Sequence, residues 1–526
     1  MRGMSSLPET LPDDITALKA MVAEQAALNA ALAQENAQKS ARIISLQEQL
    51  NLALARRYAA SSEKLSPDQI RLFNEAEADA IVAAEDDAAE AAVGVLAHTP
   101  KKRGRKPLPD TLPRIEVVHE IPEDQRHCPH DGQVLAEINQ VVSEQLDIIP
   151  AQIRVIRHIR KQYACACGQC IQTAPLPGQP IPKSMASPGL LAHIAVCKYQ
   201  DALPLYRQEQ ILQRIGVDIP RATLASWMIR AGQLVQPLIN LLRDRLLAYD
   251  IVQMDETTVQ VLKEPGKTAQ SKSYLWLQRG GPPDEPVILF DYDPTRCQTV
   301  PKNLLEGFAG YLQADGYSGY NGVVAEGGLV QVGCMAHARR KFSEAVKGQG
   351  KNPRQGKAHQ GLAWIQKLYR IEKQARAQQL SPQARKAHRQ QHAAPVLAKM
   401  QAWLDASLPN VPPGTLTGKA LNYLHNEWPK LIRYLDDGRL EIDNNLAENA
   451  IRPFVIGRKN WLFSDSVQGV KASANLYSLV ESAKANGLEP YQYLRAVFTA
   501  LPQAETVEDI ETLLPWAVKK ISAATR

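Results

Sequence analysis

Residues 249–262, YDIVQMDETTVQVL, read as a β-strand that carries acids where a strand normally packs apolar groups. Apolar and β-branched residues fill the run on both sides of Asp255 and Glu256, as in a strand buried in a core. Two further β runs follow, SYLWLQRG at 273–280 and PVILFDY at 286–292, separated by turns rich in Gly, Pro and Lys. A helix is expected at about 296–308 and a fourth strand in GYLQADGYSGYN at 310–321. A fifth strand opens at 328, in GLVQVGCMAHARRKF, and runs into a helix. Asp315 closes the fourth strand just before a Gly-Tyr turn.

Three antiparallel strands, a helix, then further strands with helices is the order of an RNase H-like fold. The expected class is therefore multidomain α/β, its core a mixed five-stranded sheet flanked by helices. Burying an aspartate in an apolar strand costs several kcal/mol unless it is paired or binds a cation. Two of them on neighbouring strands repel, and a divalent metal between them removes the objection. A third carboxylate is available in DNNLAENAIRP, 443–453. There two asparagines open a helix, Glu448 sits one turn in, Arg452 follows, and Pro453 is expected to stop the helix. Asp255, Asp315 and Glu448 would make a hard, all-oxygen set for magnesium, with manganese as its substitute. Two metals held by three carboxylates perform in-line phosphoryl chemistry. Each acid also has a plainer reading. Asp255 can be a strand-end aspartate with Glu256 pointing to the opposite face, Asp315 a turn former, and Asp291 and Asp293 rival acids. Glu448 and Arg452 can be a helical ion pair worth a few tenths of a kcal/mol.

Upstream, residues 188–246 have a helical period. Within them a helix ends near Ile215-Gly216, and Pro220 starts another with Arg221, Thr223 and Ser226 on its outer side, which is helix-turn-helix punctuation. Before that lie HCPHDG at 127–132 and YACACGQC at 163–170. Cys167-x-x-Cys170 has the loop length of one zinc-ligand pair. Cys128 with His130 is a candidate for the other, since Asp131 stands where a second cysteine would be, and Cys165 competes with Cys167. The intervening 142–164 alternates like strands of a small β module, which could equally pack its sulfurs without metal. TPKKRGRKPLP, 99–109, places Lys101, Lys102, Arg103, Arg105 and Lys106 on an extended backbone. That run resembles an AT-hook core suited to a minor groove, and it reads as well as a solvated basic linker. From Ile15 to Arg57 a heptad spacing holds, with Ile15, Val22, Asn29, Asn36, Ile43 and Leu50 on one seam and Leu18, Gln25, Leu32, Lys39 and Leu46 on the other. Such a seam predicts a parallel coiled-coil homodimer, the asparagines penalising wrong registers. A single amphipathic helix packed on its own body is the other reading.

Charge supports a polyanionic partner. Residues 1–98 carry 15 acidic against 8 basic side chains, a net of −7, so with +6 on the 526-residue chain the remainder carries +13. No run reaches the ~18 apolar residues of a membrane span, and the N-terminus lacks an apolar signal core. Seven cysteines, an odd number, argue for reduced thiols. Cytoplasmic, nucleoid-associated location without membrane contact is the expectation.

QMDETTVQV, FDYDPTRC, LQADGYSGYNG, GCMAHARRKF and DNNLAENAIRPFVIGRKNWLFSDS, in that order, resemble the transposases of the insertion sequence 66 family. The likeness extends over nearly the whole chain. It implies a DDE transposase whose acidic triad is Asp255, Asp315 and Glu448, supported by His337, Asn444, Asn445 and Arg452. It also implies DNA contacts at Arg339, Arg340, Arg458 and Lys459 beside those of the basic run and Arg221. Zinc ligands would be Cys128, His130, Cys167 and Cys170, with Asp131 a departure from the family's usual Cys-x-x-Cys. The expected division is a coiled-coil arm at 1–73, an acidic spacer and basic linker at 74–110, a zinc-finger-like β module at 111–182 and a helical segment at 183–247. The catalytic core follows at 248–476 and a helical tail at 477–526. A helical insertion at 342–430 would interrupt the core, either as an extra DNA-binding or dimerising surface or as a solvated lid. The expected activity is metal-dependent cleavage at element ends and strand transfer to target DNA, with accessory proteins of the same element as further partners. A catalytically inactive DNA-binding or regulatory protein and a plain RNase H-like nuclease are the alternatives.

Overall fold

The computed structural model describes residues 14–58, 153–164, 171–349 and 356–524. The expected phosphate contacts Lys101, Lys102, Arg103, Arg105 and Lys106, and the expected zinc ligands Cys128, His130, Cys167 and Cys170, lie outside the described residues. The chain forms two compact units, Met1–Ala78 with Pro177–Arg526, and Asp79–Leu176.

Helix α1, Ile15–Tyr58, is a single 44-residue helix, consistent with its Ala, Leu, Gln and Glu content. Its later turns meet helix ends and a loop of the same unit. Ser45 Oγ donates to Gly414 O (3.2 Å), Asn51 Nδ2 donates to Gly348 O (3.0 Å), and the Leu416 N–H donates to Glu48 Oε2 (2.7 Å). The heptad seam remains open to solvent, with Ile15, Val22, Leu32, Ile43, Leu46 and Leu50 between 48% and 69% exposed.

In the smaller unit β1, Gln162–Ala164, pairs antiparallel with β2, Ile171–Thr173. The alternation at 142–164 predicts more strand than forms. Among the described residues 153–161 have no regular structure. Ile153, Val155, Ile156 and Ile159 are exposed there, and alternation makes a strand only where one face can be buried.

Four helices precede the sheet: α2 (Pro188–Tyr199), α3 (Leu205–Arg214), α4 (Arg221–Leu234) and α5 (Gln236–Leu247). The α3–α4 turn matches its sequence punctuation. Gly216 has φ +81°, and Pro220 caps α4 at φ −59°, leaving Arg221 and Ser226 exposed. The opposite face of α4 packs so closely that a Cβ on Gly232 would lie 2.5 Å from the Ala472 Cβ.

The sheet comprises β3 (Ile251–Lys263), β4 (Lys272–Gly280), β5 (Val287–Asp293), β6 (Tyr311–Gln313) and β7 (Val330–Val332). The connections hold two short helices, α6 (Thr299–Leu304) and α7 (Asn321–Gly327). Strand order is β5-β4-β3-β6-β7, with β3, β4 and β5 antiparallel and β3, β6 and β7 parallel. The expected long fourth strand is corrected: pairing stops at Gln313, and 318–320 turn into a 3-10 helix. The expected helix at 296–308 shortens to the six residues of α6.

Helices α8 (Met335–Gly348), α9 (Lys357–Ala377), α10 (Pro382–Ser407) and α11 (Leu416–Leu431) follow β7. They bury a second hydrophobic cluster that includes Phe342, Ile365, Leu368, Leu397, Met400 and Leu424 and takes in Ile251 and Val332 of the sheet. Then come α12 (Asn445–Trp461), β8 (Ser464–Ser466), α13 (Val467–Ala485) and α14 (Pro490–Ala500). Strand β8 pairs with the far half of β3, Val261 opposite Ser464, so the sheet has six strands where five were expected. The β5 edge is closed by α13. Ser482 Oγ accepts from the Ile288 N–H and donates to the Ile288 carbonyl, both at 2.9 Å, and Ser478 Oγ accepts from the Phe290 N–H at 2.8 Å.

Helix α12 also corrects the sequence reading of Pro453. The helix continues through it to Trp461. Interior proline costs about 3 kcal/mol. Here it is opposed by burial of Ala450, Ile451, Phe454 and Val455 against the sheet core.

Candidate functional site

Between the β6 pairing that ends at Gln253 and the β8 pairing that begins at Val261, one edge of β3 is not strand-paired. Asp255 and Glu256 lie in that gap, Asp315 two residues beyond β6, and Cys334 two beyond β7. These are the carboxyl ends of parallel strands, where open α/β sheets place ligands. Helix α12 closes over the gap. Asn444, its N-cap, donates from Nδ2 to Met254 O (2.8 Å), and Arg458 Nη1 donates to Thr258 Oγ1 (3.0 Å) and Thr257 Oγ1 (3.4 Å).

The segment leading into α12 is held from two sides. Across the sheet, Arg279 Nη1 donates to Gln253 Oε1 (2.9 Å) and Gln253 Nε2 to Gln313 Oε1 (3.0 Å). Gln313 Nε2 then donates to the carbonyls of Glu441 (2.7 Å) and Asp443 (3.0 Å). From the insertion, Arg389 donates to the carbonyls of Tyr434 (2.7 Å), Asp437 (3.0 Å) and Leu440 (2.8 Å) while paired with Glu372 at 2.8 Å. Asp443 accepts from the Asn445 N–H (3.2 Å) and from Tyr369 OH (2.8 Å). The first turn of α12 is thereby set, with Glu448 buried in it.

Electrostatics draws Asp255, Glu256 and Asp315 into one cluster. Burial, then the charges of Glu256 and Asp315, push the Asp255 carboxyl well above the ordinary carboxylate value, against the opposing pull of the Glu256 N–H and His337. Burial and then Asp315 raise Glu256 as well, opposed by Arg296 and Tyr320. Glu256 accepts from Arg296 Nε (2.8 Å) and Tyr320 OH (2.7 Å), and the Arg296 guanidinium lies 3.8 Å from the Tyr317 ring centre. Glu448 is reached by His337, Nδ1 to Oε1 at 3.7 Å, and by Arg340 at 3.9 Å from Oε2. Among the described residues it forms no ion pair with Arg452, so the helical i,i+4 reading is set aside. Asp291 is gripped by Arg243 (2.7 Å) and Gln278 (2.7 Å), and Asp293 accepts from the Thr295 N–H (2.7 Å), which accounts for both rival acids.

A divalent cation suits this arrangement. Burial, and then neighbouring negative charges, hold Asp255 and Glu256 toward their neutral forms. Glu448 Oε1 and Asn444 Oδ1 are buried without a hydrogen-bond partner among the described residues. An added cation would answer both conditions.

His337 lies between that cluster and Glu448: its charge acts on Asp255, and its Nδ1 is 3.7 Å from Glu448 Oε1. Arg339 and Arg340 lie on the same helix, both half-buried, and Arg221 is exposed on α4. Sequence reasoning missed the part played by Glu256, together with its partners Arg296 and Tyr320. It also missed Cys334, which with His337 and Glu448 has ligand atoms all within 4.8 Å of one another. The Cys-x-x-His spacing in GCMAH was a legible signal for that group.

Comparison with known proteins finds four family models along the chain. The model described as Transposase IS66 family matches residues 183–472, and the IS66 C-terminal element matches 478–516. Residues 45–117 match the model described as Transposase C of IS166 homeodomain, and 125–168 the zinc-finger binding domain of transposase IS66. Among curated relatives, the uncharacterized protein y4qI of Sinorhizobium fredii is 32% identical over 97% of this chain and 98% of its own length. The uncharacterized protein y4jD of the same organism is 36% identical over 78% of this chain and 81% of its own.

Proposed function

The chain belongs to the IS66 transposase family, and on that footing we propose that it cuts DNA at the ends of a mobile element and joins the freed 3′-hydroxyls to target DNA. Asp255, Asp315 and Glu448 would hold the divalent metal, magnesium or manganese in its place. The sheet order, three antiparallel strands with two more parallel to the first, supports reading the core as RNase H-like. The observation that carries the proposal is the raised Asp255 carboxyl, buried and crowded by Glu256 and Asp315 just beyond the β3–β6 pairing.

When bound, the ions would lower the pKa of the attacking water or 3′-hydroxyl and stabilise the leaving oxygen. The chain's own part is to hold carboxylates in place and exclude alternatives. Asn444 and the Gln253–Gln313 relay fix the start of α12, the helix whose first turn carries the buried Glu448. His337 acts on Asp255 and Glu448 together and so keeps the acid of the helix near that of the strand. Arg458, which holds the β3 threonines, with Lys459, Arg339, Arg340 and Arg452, would meet the DNA backbone near the reacting phosphate. The basic run at 101–106, Arg221 on α4 and the zinc-finger-like module would bind the element ends, and the α1 seam would pair two chains.

The test is joining of a labelled element-end oligonucleotide to plasmid DNA in magnesium or manganese. Asp255→Asn, Asp315→Asn and Glu448→Gln should each lose joining on the order of 1000-fold, about 4 kcal/mol of transition-state stabilisation, while retaining DNA binding. Normal joining by the variants would sink the triad. Nicking without joining by the wild type would favour a plain nuclease.

A further inference from the structure

We propose that Cys334, His337 and Glu448 form a second metal site, selective for zinc over magnesium, that withdraws Glu448 from the acid cluster when it fills. The inhibitory consequence rests on the triad reading above; zinc binding itself does not.

Three observations carry the site. The Cys334 Sγ, His337 ring nitrogen and Glu448 carboxylate oxygen all lie within 4.8 Å of one another. Zinc bond lengths of about 2.0–2.3 Å in a tetrahedron put ligand atoms roughly 3.3–3.7 Å apart, so closure asks for about 1 Å of side-chain movement. His337 Nδ1 and Glu448 Oε1 are both buried, 3.7 Å apart, and without hydrogen-bond partners among the described residues. The sulfur, in turn, is prepared as an acceptor. Cys334 caps α8, and its Sγ accepts from the Asn444 N–H at 3.2 Å. Burial raises that thiol to about 12 against the pull of the backbone N–H groups at the helix start, so it is the bound metal that would hold it as a thiolate.

The donor set decides which ion enters. Asp255, Asp315 and Glu448 offer only hard oxygens, which suit magnesium. Replacing the two aspartates by a thiolate and an imidazole shifts preference to zinc and leaves a fourth position open. Binding would release the thiol proton to solvent, one per zinc. A carboxylate committed to that ion is no longer available to magnesium, so zinc switches the magnesium reaction off.

Cobalt(II) titration of the full chain is the primary test, read by thiolate-to-metal absorption and by equivalents bound. The cysteines near 128 and 165–170 supply a background, so the measured quantity is the difference between variants. Wild type and Asp255→Asn should bind one equivalent more than Cys334→Ser or His337→Asn, and Cys334→Ser should lose the matching share of thiolate absorption. Zinc should raise the melting temperature of wild type by an increment that both site variants lack, while their metal-free melting transitions show whether they are folded. Equal equivalents and spectra in all four proteins would overturn the site. In magnesium-dependent joining, zinc should inhibit wild type at a concentration at least about 10-fold lower than it inhibits Cys334→Ser, which corresponds to ~1.4 kcal/mol. Equal sensitivity would overturn the inhibitory role. A wild type that binds the extra equivalent but never joins DNA would instead remove the triad reading and leave the zinc site standing.

Discussion

Asp255 is a carboxylate at the end of a parallel pairing, with two more acids for neighbours, and its raised pKa has a thermodynamic consequence. In metal-free protein the folded state holds that proton more tightly than the unfolded chain. Stability contributed by this group is therefore present below the ordinary carboxylate value of about 4 and is lost as pH rises toward the raised folded value. Magnesium should reverse the loss, so the increase in melting temperature on adding it should grow between about pH 5 and pH 8. Asp255→Asn, measured without metal at about pH 8, should melt higher than wild type by roughly 2 °C or more and respond less to magnesium. A metal-free variant that melts lower would contradict this account of the site. The acids themselves were legible, because an aspartate inside an apolar β run demands a reason. The involvement of Glu256 was not, since strand alternation puts neighbours on opposite faces, and only the early end of β6 brings both under the charge of Asp315.

Helix α12 was recognisable from its asparagines and glutamate, but its length was not, because the burial that opposes a proline is tertiary. What holds its first turn was equally hidden. Gln253 and Gln313 read as polar residues in strands, and Arg389 as one more cation in a basic helical stretch, yet Arg389 is 0% exposed and Glu372 1%. Arg389→Ala would leave that glutamate and three carbonyls without their donor, and chemical denaturation should show a loss of about 3–5 kcal/mol. Restoring apolar volume at both positions with Arg389→Met and Glu372→Leu should recover part of it, the carbonyls remaining unsatisfied. On the proposed function, Gln313→Leu should spare DNA binding and depress joining, since it releases Glu441 and Asp443 ahead of the turn that carries Glu448. At the sheet edge, Ser482→Ala strips a donor and an acceptor from Ile288 and should cost about 1–3 kcal/mol in the same measurement.

Across the whole molecule, the basic body, the heptad arm and the α/β order were readable because each is a repeating or cumulative signal. The insertion was seen as helical, but its buried interior was not, since four amphipathic helices packing together are a property of their contacts. The exposed seam of α1 makes its own prediction. Asn29→Ile with Asn36→Ile should stabilise the arm against heat and replace a single dimer by mixed oligomers in sedimentation, because the inner asparagines penalise other strand numbers. An unaltered single species would argue that α1 does not pair. The 132 residues between Asp315 and Glu448 bear on how the protein is made as well as how it folds. A ribosome releases both aspartates well before the glutamate, and the segment leading to that glutamate is gripped by Arg389 of the intervening helices. On the proposed triad, a product of translation interrupted before residue 448 would lack the third carboxylate and should be unable to join DNA.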